Sequence, residues 1–163
     1  MSDIPISRFK VPELNELPED IRQRILAVQE KAGFIPNIFL ALAHRPDEFR
    51  AFFSYHDALM EKSEGLSKAE REMIVVATSG INQCIYCVVA HGAILRIREK
   101  NPLIADPVSY THLRAHEIQD SDITTLQENG FSSEEIWDIG SIAALFALSN
   151  RMANMADIRP NTE

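Results

Sequence analysis

The feature that most constrains the fold is a long apolar segment near the C-terminus. Over residues 133–155, apolar side chains fall on nearly every face of a helix: Ile136, Trp137, Ile139, Ile142, Leu145, Phe146, Leu148 and Met152. Ser132 and Glu135 before it match a capping box, which marks a helix start. A helix that is apolar nearly all round must be covered on most sides. Either it is the central helix of this chain's core, or a partner subunit covers part of it.

The rest of the chain also has the periodicity of helices, and no strand pattern or repeat stands out. Apolar residues recur at helical spacing, Gly33 is a natural helix stop, and Ser67 and Glu70 form a second capping box. We therefore predict an all-α fold. The predicted helices comprise residues 19–32, 36–43, 46–65, 68–79, 84–100, 121–129 and 133–155, with a break at residues 80–83.

The length of 163 residues suits one domain, 1–163, that can bury a core without disulfide or metal support. Residues 1–18 are predicted to form an extended arm, because Pro5, Pro12 and Pro18 interrupt any helix. The net charge of −8 argues against nucleic-acid binding. No apolar run reaches the roughly 18 residues of a membrane span, and the N-terminus lacks a signal-peptide pattern. We expect a soluble cytoplasmic protein without nucleic-acid or membrane partners.

A single Cys-x-x-Cys motif, Cys84 and Cys87, follows the predicted break. Side chains three positions apart on a helix have Cβ atoms about 5–6 Å apart, and a modest adjustment at a helix start brings them within disulfide distance. Free amide donors and the helix dipole at that end favour a thiolate. Because structural disulfides are rare in the cytoplasm, we interpret the pair as redox-active.

Two further residues are placed to assist this pair. His91 lies one helical turn beyond Cys87 on the same face, where it can take the thiol proton or stabilise the thiolate. Glu72 lies on the preceding helix and reaches His91, directly or through a water, if the two helices pack as a hairpin. We therefore predict Cys87, Cys84, His91 and Glu72 as the catalytic residues.

Two other interpretations of the motif stay open. Buried cysteines on apolar helices often behave as small hydrophobic residues. Cys84, Cys87 and His91, with Glu72 as a fourth ligand, are also zinc ligand types, although structural zinc sites usually use two ligand pairs. A thioredoxin-like site would follow a strand, whereas a helix precedes this motif. We expect no metal and no cofactor.

Other candidate residues receive weaker interpretations. His44 and His56 lie on predicted helices and are interpreted as structural. His112 and His116 have a spacing that suits a metal, but their flanks lack helical character, so we expect them to be exposed. Tyr86, between the cysteines, either packs or donates a hydrogen bond to a site group.

The four predicted site residues match a known family pattern without a gap: Glu, eleven residues, Cys, two residues, Cys, three residues, His. At Glu72, Cys84, Cys87 and His91 the chain resembles the alkylhydroperoxidase D-like branch of the carboxymuconolactone decarboxylase family, and more narrowly its uncharacterised peroxidase-related enzymes. The similarity continues in GFIPNIFLALAHRPDEFRAFF, NPLIAD and GFSSEEIWDIGSIAALFALSNRMANM. It implies an antiparallel helical bundle of the alkylhydroperoxidase D-like type.

The chain departs from this family at two places. Well-studied members have a histidine between the cysteines, where this chain has Tyr86. Relatives should also carry a further long amphipathic helix after NPLIAD, where this chain has only PVSYTHLRA. That string resembles translated cloning-adaptor sequence. We therefore interpret residues 108–117 as a non-native segment that replaces a helix.

The resemblance implies a thiol-dependent peroxidase. Cys87 would attack a hydroperoxide and become a sulfenic acid, Cys84 would resolve it to a disulfide, and a dithiol reductant, thioredoxin-like or a lipoyl domain, would reopen the bridge. Glu72 and His91 would relay protons. A symmetric homo-oligomer, a trimer or a dimer of trimers, is also implied. The alternatives are a decarboxylase of muconolactone type, which does not depend on the cysteine pair, and a non-catalytic thiol switch or helical interaction protein.

Overall fold

The computed structural model describes residues 5–98 and 118–161, and within these ranges the chain is all-α. The predicted non-native segment 108–117, with His112 and His116, lies outside the described residues. A short 3₁₀ helix, Leu14–Glu16, interrupts the extended N-terminal arm. The α-helices that follow in the described part are α1 (Glu19–Ala32), α2 (Asn37–Leu42), α3 (Pro46–Met60), α4 (Lys68–Ile81), α5 (Ile85–Arg98), α6 (Asp120–Glu128) and α7 (Ser133–Ala156).

Local sequence signals set most helix ends. The capping boxes predicted at Ser67 and Ser132 are both formed, each serine accepting a bond from the amide three residues on. α1 ends at Gly33, whose φ of 84° is accessible to glycine at little cost. α4 continues through the predicted break at Gly80 as far as Ile81.

The predicted end of α3 near residue 65 is wrong, because the helix stops at Met60. The reason is a distant side chain, Arg71, which is fully buried. Its guanidinium donates to the backbone carbonyls of Lys62 and Glu64. Because this side chain of α4 satisfies the two carbonyls, the chain turns at a place where the sequence pattern predicted a helix.

The core places α4 between α5 and α7, and it contacts both. One hydrophobic cluster joins α4 to α7 and includes Val75, Ile142 and Phe146. The ion pair between Lys62 and the buried Asp138 ties the end of α3 to α7 at 2.9 Å. α7 is therefore a core helix on one face.

The opposite face of α7 leaves large apolar side chains uncovered. Trp137, Leu148 and Met155 are 73%, 52% and 60% exposed. The prediction that α7 is a core helix is thus confirmed for one face, whereas cover of the other face by a partner subunit stays a prediction. Among the described residues, no helix combines the length and hydropathy that a bilayer crossing requires.

The N-terminal arm docks against the C-terminal end of the chain. The backbone N–H of Arg8 donates to the carbonyl of Ala156 at 2.7 Å, and Arg159 N–H donates to the carbonyl of Ile6 at 3.2 Å. The Ser7 hydroxyl donates to the same Ala156 carbonyl at 3.2 Å. The arm thus holds the end of α7, the helix that lies against the cysteine motif.

Candidate active site

The predicted hairpin of α4 and α5 brings the motif together. Glu72 lies on α4, whereas Cys87 and His91 lie on α5, and a tight turn at Asn82 and Gln83 joins the helices. Gln83 has a φ of 52°, a left-handed conformation that side chains other than glycine seldom adopt. The backbone N–H of Cys84 then donates to the carbonyl of Ser79 at 3.0 Å. This turn places Cys84 at the start of α5.

The two cysteines are free thiols in direct contact. Their sulfur atoms lie 2.7 Å apart, and both residues are 1% exposed. The backbone N–H of Cys87 also points at Cys84 Sγ, at 3.4 Å. An amide at the first turn of a helix is an expected donor to a thiolate.

The contact separates the pKa values of the two thiols. The hydrogen bond with Cys87 is the largest influence on Cys84, lowering its pKa to about 7 against the opposing effect of burial. The pKa of Cys87 is raised, first by the same hydrogen bond and then by burial. Because two sulfurs in contact share one proton, the resting thiolate is stabilised on Cys84, while Cys87 retains the proton.

The second predicted pair, Glu72 and His91, is also formed. His91 Nδ1 lies 2.7 Å from Glu72 Oε2, and Glu72 is 2% exposed. Since a carboxylate only accepts, Nδ1 carries the proton and Nε2 of a neutral ring is left as an acceptor. The His91 and Phe146 rings are nearly perpendicular, with 4.8 Å between their centroids. The buried carboxylate therefore fixes the ring's orientation and tautomer.

Two polar residues on α7, Ser149 and Asn150, belong to the site but were not predicted. Asn150 is fully buried, accepts a hydrogen bond from Asn82 Nδ2 at 2.9 Å and donates to Ser79 Oγ at 3.0 Å. Its side chain lowers the pKa of both thiols, and Ser149 lowers that of Cys87. The signal for them was available, because a Ser-Asn pair interrupts an otherwise apolar helix.

His56 lies closer to the site than its structural interpretation implied. Its ring packs in a T-shaped arrangement with Phe146, the ring that also contacts His91. Burial is the largest influence and lowers the pKa of His56, and the nearby His91 acts in the same direction. Asp57 Oδ1 lies 3.2 Å from its Nδ1.

The packing alternative for Tyr86 is supported, because its hydroxyl accepts a hydrogen bond from the Ile38 N–H at 3.1 Å. This bond ties the start of α5 to α2, and burial raises the pKa of the phenol. With regard to the zinc alternative, no cluster of three or more possible ligands is found in the part of the chain that the structure describes.

Known proteins resemble this chain in sequence and in fold. The model of the carboxymuconolactone decarboxylase family matches residues 46–102. A crystal structure of an alkylhydroperoxidase AhpD core, an uncharacterized peroxidase-related protein from Ralstonia eutropha JMP134, is 59% identical, with a TM-score of 0.91 over 98% of this chain and 94% of that one. A peroxidase-related protein from Silicibacter sp. TM1040 is 31% identical, with a TM-score of 0.87 over 99% and 96%.

A more distant structure shares the fold alone. The debrominase Bmp8 is 15% identical and superposes with a TM-score of 0.74 over 96% of this chain and 92% of that one. No curated protein matches the sequence significantly. The two nearer structures cover almost the whole chain, and the family model covers the segment that carries all four motif residues. The chain therefore belongs to the carboxymuconolactone decarboxylase family, among its alkylhydroperoxidase AhpD-like, peroxidase-related proteins.

Proposed function

We propose that this protein is a thiol-dependent peroxidase that reduces hydrogen peroxide or organic hydroperoxides through a dithiol–disulfide cycle of Cys84 and Cys87. The observation that carries the proposal is the contact of the two sulfurs at 2.7 Å, at a helix start and one turn from a buried carboxylate–histidine pair. Family membership supports a peroxidase-related function in broad terms.

The first step reduces the peroxide. The Cys84 thiolate accepts the proton of Cys87 across the short contact as Cys87 Sγ attacks the distal peroxide oxygen. The O–O bond breaks as His91 Nε2 takes the hydroperoxide's own proton and passes it to the leaving oxygen, so an alcohol leaves. The Cys87 sulfenate takes up a proton from water and becomes a sulfenic acid. Glu72 holds the His91 ring for this transfer. Because its pKa is lowered, Cys84 is substantially ionised at neutral pH and is available to accept the Cys87 proton.

The second step closes the bridge, and an external dithiol resets it. Cys84 Sγ attacks the sulfenic sulfur of Cys87, the S–O bond breaks, and the hydroxyl leaves as water with the proton that Cys84 gives up. The disulfide then exchanges with a dithiol reductant, a thioredoxin-like protein or a lipoyl domain, which leaves as its own disulfide. The sulfurs carry both electrons, so the cycle requires no bound cofactor.

Steady-state hydroperoxide consumption in the presence of a dithiol tests this function. The wild-type chain should turn over and form an intramolecular disulfide, detected as the loss of two thiols and of two protons' mass. Cys87→Ser should abolish peroxide reduction, whereas Cys84→Ser should stop at a sulfenic acid on Cys87. His44→Ala, a change of an exposed histidine, is the control.

Each alternative outcome supports a different role for the cysteines or a different function. A sulfenic acid trapped on Cys84 in the Cys87→Ser variant would reverse the roles of the two cysteines. A disulfide that forms without turnover would indicate a thiol switch. Full retention of both thiols under excess hydroperoxide would refute redox function and favour a decarboxylase of muconolactone type, which does not depend on the pair.

We also propose a symmetric homo-oligomer, a trimer or a dimer of trimers. The support is the apolar face of α7 at Trp137, Leu148 and Met155, since exposed patches of this kind mark protein interfaces. A cytoplasmic location stays a prediction from the sequence.

A further inference from the structure

We propose that Asn150 is a positioning residue for the dithiol, and that its side-chain amide stabilises the resting thiolate. This inference rests on the dithiol chemistry proposed above. Asn150 lies on α7, 63 residues after the motif, and the Glu-Cys-Cys-His pattern does not include it. It adds a third helix to a site otherwise built from α4 and α5.

Two polar contacts define the orientation of the Asn150 amide. Its oxygen accepts from Asn82 Nδ2 at 2.9 Å, and one N–H of its Nδ2 donates to Ser79 Oγ at 3.0 Å. An amide nitrogen carries two N–H donors, so one remains after the bond to Ser79. The Asn150 side chain lowers the pKa of both thiols, and our proposal directs the remaining N–H at the sulfurs.

The partners of Asn150 bracket the turn before the motif. Ser79 and Asn82 precede Cys84 by five and two residues, and the Ser79 carbonyl itself accepts the Cys84 N–H. One buried side chain therefore links α7 to the last turn of α4 and to the α4–α5 turn. Because both points are held, the position of Cys84 Sγ at the start of α5 is fixed.

A neutral donor suits this position better than a charged one. The site is buried, where an unpaired ion is costly, whereas a satisfied amide adds no charge of its own. A hydrogen bond to a charged group is stronger than one between neutral groups. The Asn150 amide therefore favours the thiolate over the thiol and lowers the pKa of the pair.

The neighbouring residue Asn154 provides a matched control. It lies about one turn further along α7, is exposed, and donates to the Asn82 carbonyl at 3.2 Å. It thus touches the same turn but is not among the groups that act on the thiols. Asn150→Ala and Asn154→Ala remove the same amide group from one helix, at a buried position and at an exposed one.

The experiment is a pH titration of the reduced, full-length protein, following the ultraviolet absorbance of the thiolate. Asn150→Ala should raise the pKa of the first thiol to ionise by about one unit, which leaves roughly tenfold less thiolate at a pH well below that pKa. Asn154→Ala should leave that pKa within a few tenths of the wild-type value.

If Asn150→Ala fails to fold, Asn150→Asp replaces it. This change keeps the acceptor for Asn82 but puts a carboxylate where the amide donor was, so the thiol pKa should rise further. A folded Asn150 variant with a wild-type thiol pKa, or an equal rise in Asn154→Ala, would overturn the proposal. The titration uses no peroxide, so an inactive wild-type protein would refute the peroxidase function without deciding this outcome.

Discussion

A buried carboxylate is costly unless it is paired, and Glu72 is paired with His91 at 2.7 Å. The pairing explains why a glutamate is tolerated on the buried face of α4, beside Val75 and Ile74. It also leaves Nε2 of a neutral His91 ring as a proton acceptor. Burial of the Glu72 carboxylate therefore accounts for its pairing with His91.

We predict that Glu72→Gln and His91→Ala each slow the oxidation of the dithiol by peroxide by roughly 10²- to 10⁴-fold, the usual contribution of a general acid–base group. Because the two residues act as one relay, the double variant should be little slower than the slower single variant. Stopped-flow oxidation of the reduced protein measures this. Wild-type rates in both single variants would reduce the pair to a packing role.

Gln83 carries the second prediction at this scale, because its φ of 52° suits glycine better than other residues. Gln83→Gly should change the free energy of unfolding by less than about 1 kcal/mol. Gln83→Val should destabilise by about 1–2 kcal/mol, since a left-handed conformation costs that much for L residues and is worst for β-branched ones. Urea unfolding gives both values.

Gln127→Val on α6 is the control for this change, because Gln127 is exposed and helical. It should cost well under 1 kcal/mol, the usual difference in helix propensity. Equal unfolding energies for the glycine and valine variants at position 83 would show that the turn adopts another conformation in solution.

At the scale of the helices, the reactive sulfurs and the amide donor lie together at the start of α5. The helix begins one residue after Cys84, and the amide of Cys87 in its first turn is directed at the Cys84 sulfur. The sequence pattern was sufficient to place this start, because the motif follows a turn and precedes a long apolar segment. It was not sufficient to assign the resting charge, which depends on the distance between the two sulfurs.

The pH dependence follows from this arrangement. The Cys84 thiolate is the base that activates Cys87, and the pKa of Cys84 is lowered to about 7. The rate of dithiol oxidation should therefore rise as pH increases through about 7 and be lost as pH falls through it. Cys87→Ala removes the thiol donor, so the Cys84 pKa, followed by thiolate absorbance, should return towards the ordinary value of about 8.5. An unchanged titration would show that Cys87 does not donate to Cys84.

A helix end could be predicted where the interactions that set it join residues close together in the sequence. Ser67 and Ser132 cap their own helices through bonds within three residues, so the sequence pattern was enough. α3 ends because Arg71, on another helix, bonds the carbonyls of the turn. Asn150 was missed for the same reason, since its partners are some 70 positions away.

For the whole molecule, the exposed face of α7 predicts self-association. Trp137, Leu148 and Met155 are eleven and seven residues apart and so share one face of the helix. Light scattering should show a stable trimer or hexamer. Trp137→Glu should dissociate it, whereas Ile123→Glu on α6, where the residue is also partly exposed, should not. A monomer at all protein concentrations would contradict the proposed interface.

The docking of the arm has a consequence for how the site is held. Ser7 and Arg8 bond to Ala156, 149 and 148 positions further along the chain, at the last turn of α7. Asn150 lies less than two turns before that point. The docked arm therefore supports the helix that packs against the thiol pair, so the contact between the two sulfurs depends in part on Ser7 and Arg8, near the opposite end of the sequence.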